Sequence, residues 1–249
     1  MVIAAGISDF KPGKIFLRAG ESRLATGGSF SIMTGKGDLL SSGQIAVKSG
    51  AGSHGSGEIS LSSGNGNSRS GDFQITTGSS SSGTSGDIVL RAGSGKSGGN
   101  VAVTAGRSSF GTGGAVYIAT GTSKAGSGGE LRLNSKTSVS SGSGNISVVT
   151  GDSKASESGS ILFETGAGLD RSGGFQFIAG HSSSSDGGSI VMISDASNVK
   201  RGGSIVFQSG QGYGESGEVM IKSGKSKGAS GSILISTGSG DHSGNIAIS

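Results

Sequence analysis

One eight-residue pattern, repeated along the whole chain, constrains this sequence more than any other feature. The stretch GSILISTG at 231–238 shows it: an opening glycine, large apolar residues at positions three and five, a small residue at position seven and a closing glycine. Copies are 13 to 15 residues apart, a regularity typical of stacked repeat proteins. They open at Gly13, Gly28, Gly43, Gly57, Gly71, Gly86, Gly99, Gly114, Gly129, Gly144, Gly159, Gly173, Gly188, Gly203, Gly217, Gly231 and Gly244.

Alternation within each copy predicts the fold class. Ile233, Ile235 and Thr237 share one side of an extended segment, as the period of two in a β-strand requires. We therefore expect an all-β protein, a parallel β-solenoid of 13–15-residue strand-turn repeats. Two strands per coil, forming two facing sheets, would keep Glu58 and Asp72 out of one column of like charges. A stack of antiparallel hairpins stays open, because the period does not fix strand direction.

The composition is typical of a disordered chain, whereas the repeat pattern indicates an ordered one. Only 31% of residues are apolar and 53 are glycine, which is typical of flexible linkers. A linker has no reason to keep apolar residues at both large positions of every copy, so residues 1–249 are predicted to form a single repeat array. Both ends lie within repeats, which suggests a piece of a longer array or a subunit with covered ends.

The glycines that bound each copy mark the predicted turns, which we call corners. Glycine adopts positive φ without a steric cost, so we expect that conformation there. Lys136 and Asp195 replace the closing glycine, and an irregular corner is expected after Leu133.

Searches for chemical sites give no candidates, so we expect no catalytic residues, cofactor or metal, and no enzyme. The histidines His54, His181 and His242 lie in separate corners, and the chain has no cysteine. Asp241 and Ser243 flank His242 too closely for a catalytic triad. Glycine-rich matches at 50–55 and 93–98 lead into strands, not helices, which argues against a nucleotide site.

Charge suggests which partners are plausible. The net charge is +4, but Lys222, Lys225 and Lys227 form the densest basic group, which is too small for specific nucleic-acid binding. Weak attraction to anionic polysaccharide or a mineral surface is more plausible. No apolar run is long enough for a membrane span.

Outward positions become more apolar between about 160 and 235, which indicates a contact surface for self-association or for neighbouring chains. We predict a possible assembly surface formed by Leu162, Ile178, Val191, Ile193, Val206, Met220 and Leu234.

The phrases SGEISLSSG at 56–64, SGNISVVTG at 143–151 and SGSILISTG at 230–238 resemble the Gly/Ser-rich repeat proteins of diatoms and related algae. The resemblance implies secreted, cell-wall or adhesive material and an extracellular or cell-surface location. It carries over no site residues.

Together these features predict a non-enzymatic structural repeat protein, an extracellular rod, fibre, cell-wall or adhesive component that acts through rigid repetitive assembly. The alternative is a surface-binding module, either a polysaccharide adhesin or an ice-binding solenoid. A flat ice-binding face would need an outward array of Thr, whereas Thr and Ser here recur at the inward small position.

Overall fold

The computed structural model describes residues 2–6, 10, 13–139 and 141–248, and none of these residues lies in a helix or a β-strand. The repeats are extended stretches, and each of the sixteen corners between Gly13 and Gly244 contains a bend. The predicted all-β class, with its parallel solenoid and two facing sheets, is therefore wrong. Alternation fixes the two sides of a segment, but a strand also needs a neighbour that exchanges backbone hydrogen bonds along its length.

No described residue is buried, so the expected core is also absent. Ile15, Ile59, Ile146 and Ile233, which the solenoid would enclose, are 49%, 49%, 59% and 51% exposed. The chain exposes 25,897 Å² of surface, whereas a compact protein of 24.0 kDa exposes about 9,900 Å². Two large apolar side chains per copy are too few to enclose one another without lateral stacking.

Backbone hydrogen bonds of the described residues lie at the corners. At eight corners the residue that opens a copy donates its N–H to the carbonyl that closes the preceding copy, as Gly28 does to Gly20 at 2.9 Å. The same bond forms at 13, 99, 114, 129, 188, 203 and 217. These bonds close loops, because each links the two ends of one corner and never two whole segments.

Two compact units divide the chain, Met1–Gly129 and Glu130–Ser249. The same repeat builds both, and each of the corner bonds lies within one unit. In the described part of the chain no helix is long and apolar enough to cross a membrane.

Candidate assembly surface

The small residue of each copy lies against the glycine that opens the next. A Cβ added to Gly28 would lie 3.4 Å from the Cβ of Ala19, and one added to Gly188 would lie 3.2 Å from the Cβ of Ala179. The contact recurs at every opening glycine except Gly231, which has no atom within 4 Å of an added Cβ. Steric space therefore explains glycine and a small partner only at the tighter junctions. At Gly57, Gly71, Gly144 and Gly244 an added Cβ would lie 3.7 to 3.9 Å from its neighbour, an ordinary van der Waals distance.

Six seventh-position residues are among the best covered of the described chain. The half-buried residues of the described chain are Ala5, Ala19, Ala92, Ala105, Ser138, Ala179 and Ser209, and all but Ser138 occupy that position. Hydroxyl groups there can bond across the junction: Thr165 Oγ1 donates to the carbonyl of Gly173 at 3.2 Å, and Ser194 Oγ to that of Gly203 at 3.0 Å. The junction thus includes the best-covered seventh-position residues and, at two places, a hydrogen bond between copies.

Backbone conformation at the corners differs from the prediction. No described residue, glycine or otherwise, has positive φ, so the expected left-handed glycine turns are absent. Asp195 replaces a closing glycine, yet its carbonyl accepts the Gly203 N–H at 3.1 Å, like the carbonyls of the glycine-closed corners. The closing glycines themselves have open space around an added Cβ, and nothing in the structure explains their recurrence.

Seven corners, which we call serine corners, are closed by a side-chain hydroxyl. In each, a serine two residues after the closing position accepts a hydrogen bond from the backbone N–H three residues later, as Ser108 does from Gly111 at 2.8 Å. Short hydroxyl-to-backbone bonds of this kind favour turns. The accepting residues are Ser22, Ser80, Ser108, Ser123, Ser153, Ser182 and Ser197.

Four further corners, the glycine corners, have glycine at the same place, and each is one residue shorter than a serine corner. A Cβ added to Gly52, Gly66, Gly168 or Gly212 would collide with the carbonyl oxygen three residues later. Because that atom belongs to the backbone, it cannot move aside without moving the corner. The repeated G-x-S and G-x-G phrases after the closing residue carry this signal in the sequence, and our sequence reasoning missed it.

Three phenylalanines form the only ring contacts of the described residues. Phe163 and Phe175 are stacked with ring centroids 5.8 Å apart, and Phe177 meets Phe175 edge to face at 4.6 Å. Phe163 lies two residues before Thr165 and Phe175 two residues after Gly173, the pair that meets at the junction. The two segments therefore lie side by side and run in opposite directions.

The residues of the predicted assembly surface lie on six separate copies, with only Val191 and Ile193 sharing one. All are exposed, from 60% for Met220 to 87% for Leu234. The first large apolar residue of the same copies is 47% to 55% exposed, so the predicted surface faces solvent more fully than that position does. Its role in assembly stays a prediction.

Charged groups of the structure make local, exposed pairs. Arg18 pairs with Glu21, Lys36 with Asp38, Arg69 with Asp72 and Arg132 with Glu130. No group of three His, Asp or Glu residues that could hold a metal occurs in the described ranges, and no pocket is present there. His54 contacts Ser53 within one corner, with Ser53 Oγ 3.2 Å from Nδ1.

Comparison with known proteins gives no relative. No protein-family model, no curated protein and no solved structure matches this chain. The resemblance to Gly/Ser-rich algal repeat proteins stays a prediction, and function has to be argued from the residues described above.

Proposed function

We propose that this chain is a non-enzymatic structural protein, a component of extracellular fibre, wall or adhesive material that works by repetitive self-assembly. The observation that carries the proposal is the exposed pair of large apolar residues that every copy displays at positions three and five. In the copy at 57–64 this pair is Ile59 and Leu61, 49% and 72% exposed.

Water exposure of these pairs favours association. Removing apolar surface from water is favourable by about 25 cal/mol per Å². Monomeric proteins rarely expose large contiguous apolar patches, and such surfaces usually mark contact sites. Because the same pair recurs in each copy, many weak contacts can add along two neighbouring chains, so binding strength grows with the number of copies engaged.

Neighbouring chains of the same array are therefore the principal partners in this proposal. The surplus of basic side chains, net +4, adds a weaker attraction to anionic polysaccharide or mineral, which suits a wall or adhesive location. That term is sensitive to salt, whereas apolar association is not weakened by screening.

A test of the proposal compares two sets of four substitutions to serine in the full chain. One set changes two apolar pairs, Ile45, Val47, Ile59 and Leu61; the other changes four corner residues that are almost fully exposed, Leu24, Leu39, Phe110 and Leu169. We expect the unmodified chain to form assemblies visible by light scattering and electron microscopy. The pair variant should need a several-fold higher concentration to assemble, and the corner variant should behave like the unmodified chain.

Two outcomes would contradict the proposal. An unmodified chain that stays monomeric at every concentration and salt level tested has no assembly function. Equal loss in both variants would show that apolar content alone drives association, without any role for the repeat.

A further inference from the structure

We propose that the two copies at 159–166 and 173–180, which we call the aromatic pair, form the site where two molecules of this chain first associate. The occupant of the site is the aromatic pair of a second copy of the chain. This inference rests on the proposed self-assembly and gives it a location.

The ring contacts within the aromatic pair are of the kind that we expect between two chains. Phe163 stacks on Phe175, and Phe177 meets Phe175 at its edge, an arrangement that aromatic rings favour beyond the area they bury. The rings nevertheless stay 63%, 55% and 59% exposed. More than half of each side chain is thus available to a partner.

Symmetry of the repeat makes a second copy the fitting partner. Read along the inward side, a copy presents glycine, large, large and small residues; a segment running the other way places small against glycine and large against large. The chain already shows this match where Thr165 meets Gly173 and Phe163 meets Phe175. Two identical aromatic pairs can therefore face each other across a two-fold axis, as isologous interfaces require.

Area and charge are consistent with that occupant. Weak, transient interfaces bury less than about 1,200 Å² in total, and a first contact between two chains belongs to that class. Six half-exposed rings from two chains supply roughly 700 Å², at about 200 Å² for a whole ring. Ile161, at the third position of its copy, lies on the same side of the segment as the rings and extends the apolar area. Residues 172–180 carry no charged side chain, and Glu164 of the other copy is at the sixth position, on the opposite side of its segment from Phe163. Facing copies therefore bring no like charges together on the side of the rings.

The copy at 203–210 provides a matched control. Its sequence, GSIVFQSG, is also uncharged, and Phe207 occupies the same fifth position as Phe163 and Phe177 with 67% exposure. The ring of Phe207 has no contact with another ring among the described residues. Phe207→Ser therefore removes the same apolar group as a phenylalanine substitution in the aromatic pair but leaves the ring cluster intact.

Sedimentation velocity over a wide concentration range tests the inference on the full chain. Phe175→Ser should weaken self-association by at least about tenfold, because Phe175 contacts both other rings. Phe207→Ser should weaken it by less than about threefold. Phe175→Leu, which keeps an apolar side chain but not the ring, should fall between them.

Location is tested with a nitroxide spin label on a single introduced cysteine. The chain has no cysteine, so Gln176→Cys or Gln208→Cys gives one label per molecule, and any dipolar coupling is between chains. Early dimers should show shorter label separations at 176 than at 208.

The outcomes separate this inference from the proposed function. If the unmodified chain assembles but Phe175→Ser and Phe207→Ser have equal effects, or 208 gives the shorter separation, the inference is wrong while the assembly function stands. If the substitution effect is independent of concentration, the rings act within one chain and the inference is also wrong. An unmodified chain that never associates removes both.

Discussion

Serine corners and glycine corners reverse the direction of the chain by different physical means. At Ser108 a hydroxyl accepts the Gly111 N–H and holds an eight-position span from Gly106 to Gly114. At Gly212 a span of seven positions, from Gly210 to Gly217, brings a carbonyl so close that no side chain fits. Yet the opening N–H bonds the closing carbonyl at 2.9 Å in both. These two corners share the same hydrogen bond at the junction, but the loop between its two ends is held in different ways.

The difference teaches that the residue two places after the closing position decides how a corner is held. Serine there contributes a side-chain hydrogen bond, whereas glycine lets the backbone approach itself closely. Length alone does not decide, since Gly37 faces the Leu40 carbonyl in an eight-position corner and Ser226 accepts a hydrogen bond in a seven-position corner. Substitutions at the two kinds of corner should therefore fail for different reasons and by different amounts.

The largest effect is expected from Gly212→Ala in a glycine corner. The added Cβ collides with the Glu215 carbonyl, at a cost of about 1–3 kcal/mol, which matches or exceeds the ~1 kcal/mol that the corner bond contributes. The corner should open, and the Gly217 N–H should lose its protection from hydrogen exchange measured by NMR. Gly210→Ala is the control, since an added Cβ there meets no atom within 4 Å. Equal protection in both variants would contradict the steric account.

A smaller effect is expected from Gly188→Ala at the junction of a serine corner. Its Cβ would lie 3.2 Å from the Cβ of Ala179, so the segments must shift by a few tenths of an ångström. We expect chemical-shift changes that reach back to residues 179 and 180. In Gly231→Ala the added Cβ meets no atom, so only the chemical shifts of its chain neighbours should change. Because alanine lowers the backbone freedom of the disordered state, the ordered conformation should gain about 0.4–1 kcal/mol. Equal changes in both variants would contradict the close contact between the opening glycine and the preceding small residue.

Loss of the serine hydroxyl should cost less again. Ser108→Ala removes the acceptor of the Gly111 N–H, and a hydrogen bond contributes about 1 kcal/mol net. Exchange of that N–H should become about fivefold faster. Ser109→Ala, the neighbouring serine of the same corner, should leave the rate unchanged. A similar change from both would show that the hydroxyl of Ser108 does not hold the corner.

Loss of an ion pair should have the smallest effect on a corner. Asp72→Asn removes the partner of Arg69, whose nitrogen lies 3.4 Å from the carboxylate, but both side chains are largely exposed. Exposed pairs contribute about 0–1 kcal/mol. The population of the closed corner at 64–71, followed by NMR chemical shifts, should therefore change by less than about fivefold, and Asp87→Asn is the control. A larger loss would mean that charge, not sterics, sets the form of this glycine corner.

Local features of the repeat were predictable, and its lateral arrangement was not. Glycine spacing located every corner, and the small residue at position seven is the one that contacts the next opening glycine, as Ala19 contacts Gly28. Alternation in Ile233 and Ile235 also identified the sides of the segment. It could not show whether another segment would lie alongside, because hydrogen-bonded pairing depends on contacts between distant copies.

The remaining errors have the same origin. Positive φ was inferred from the residue type, whereas some opening glycines, such as Gly188, are favoured by the close neighbour that they face. The contact of Phe163 with Phe175 depends on the path of the corner at 166–173, which the repeat period does not specify. Assembly through the predicted outward residues, Leu162 among them, needs a second chain to be tested.

Each junction involves only the end of one copy and the start of the next. Deleting one whole copy, or duplicating it, therefore leaves every other junction with its own two partners. Arrays of this kind can change length through recombination between copies without compensating substitutions elsewhere, which makes length the property of the molecule most open to evolutionary adjustment.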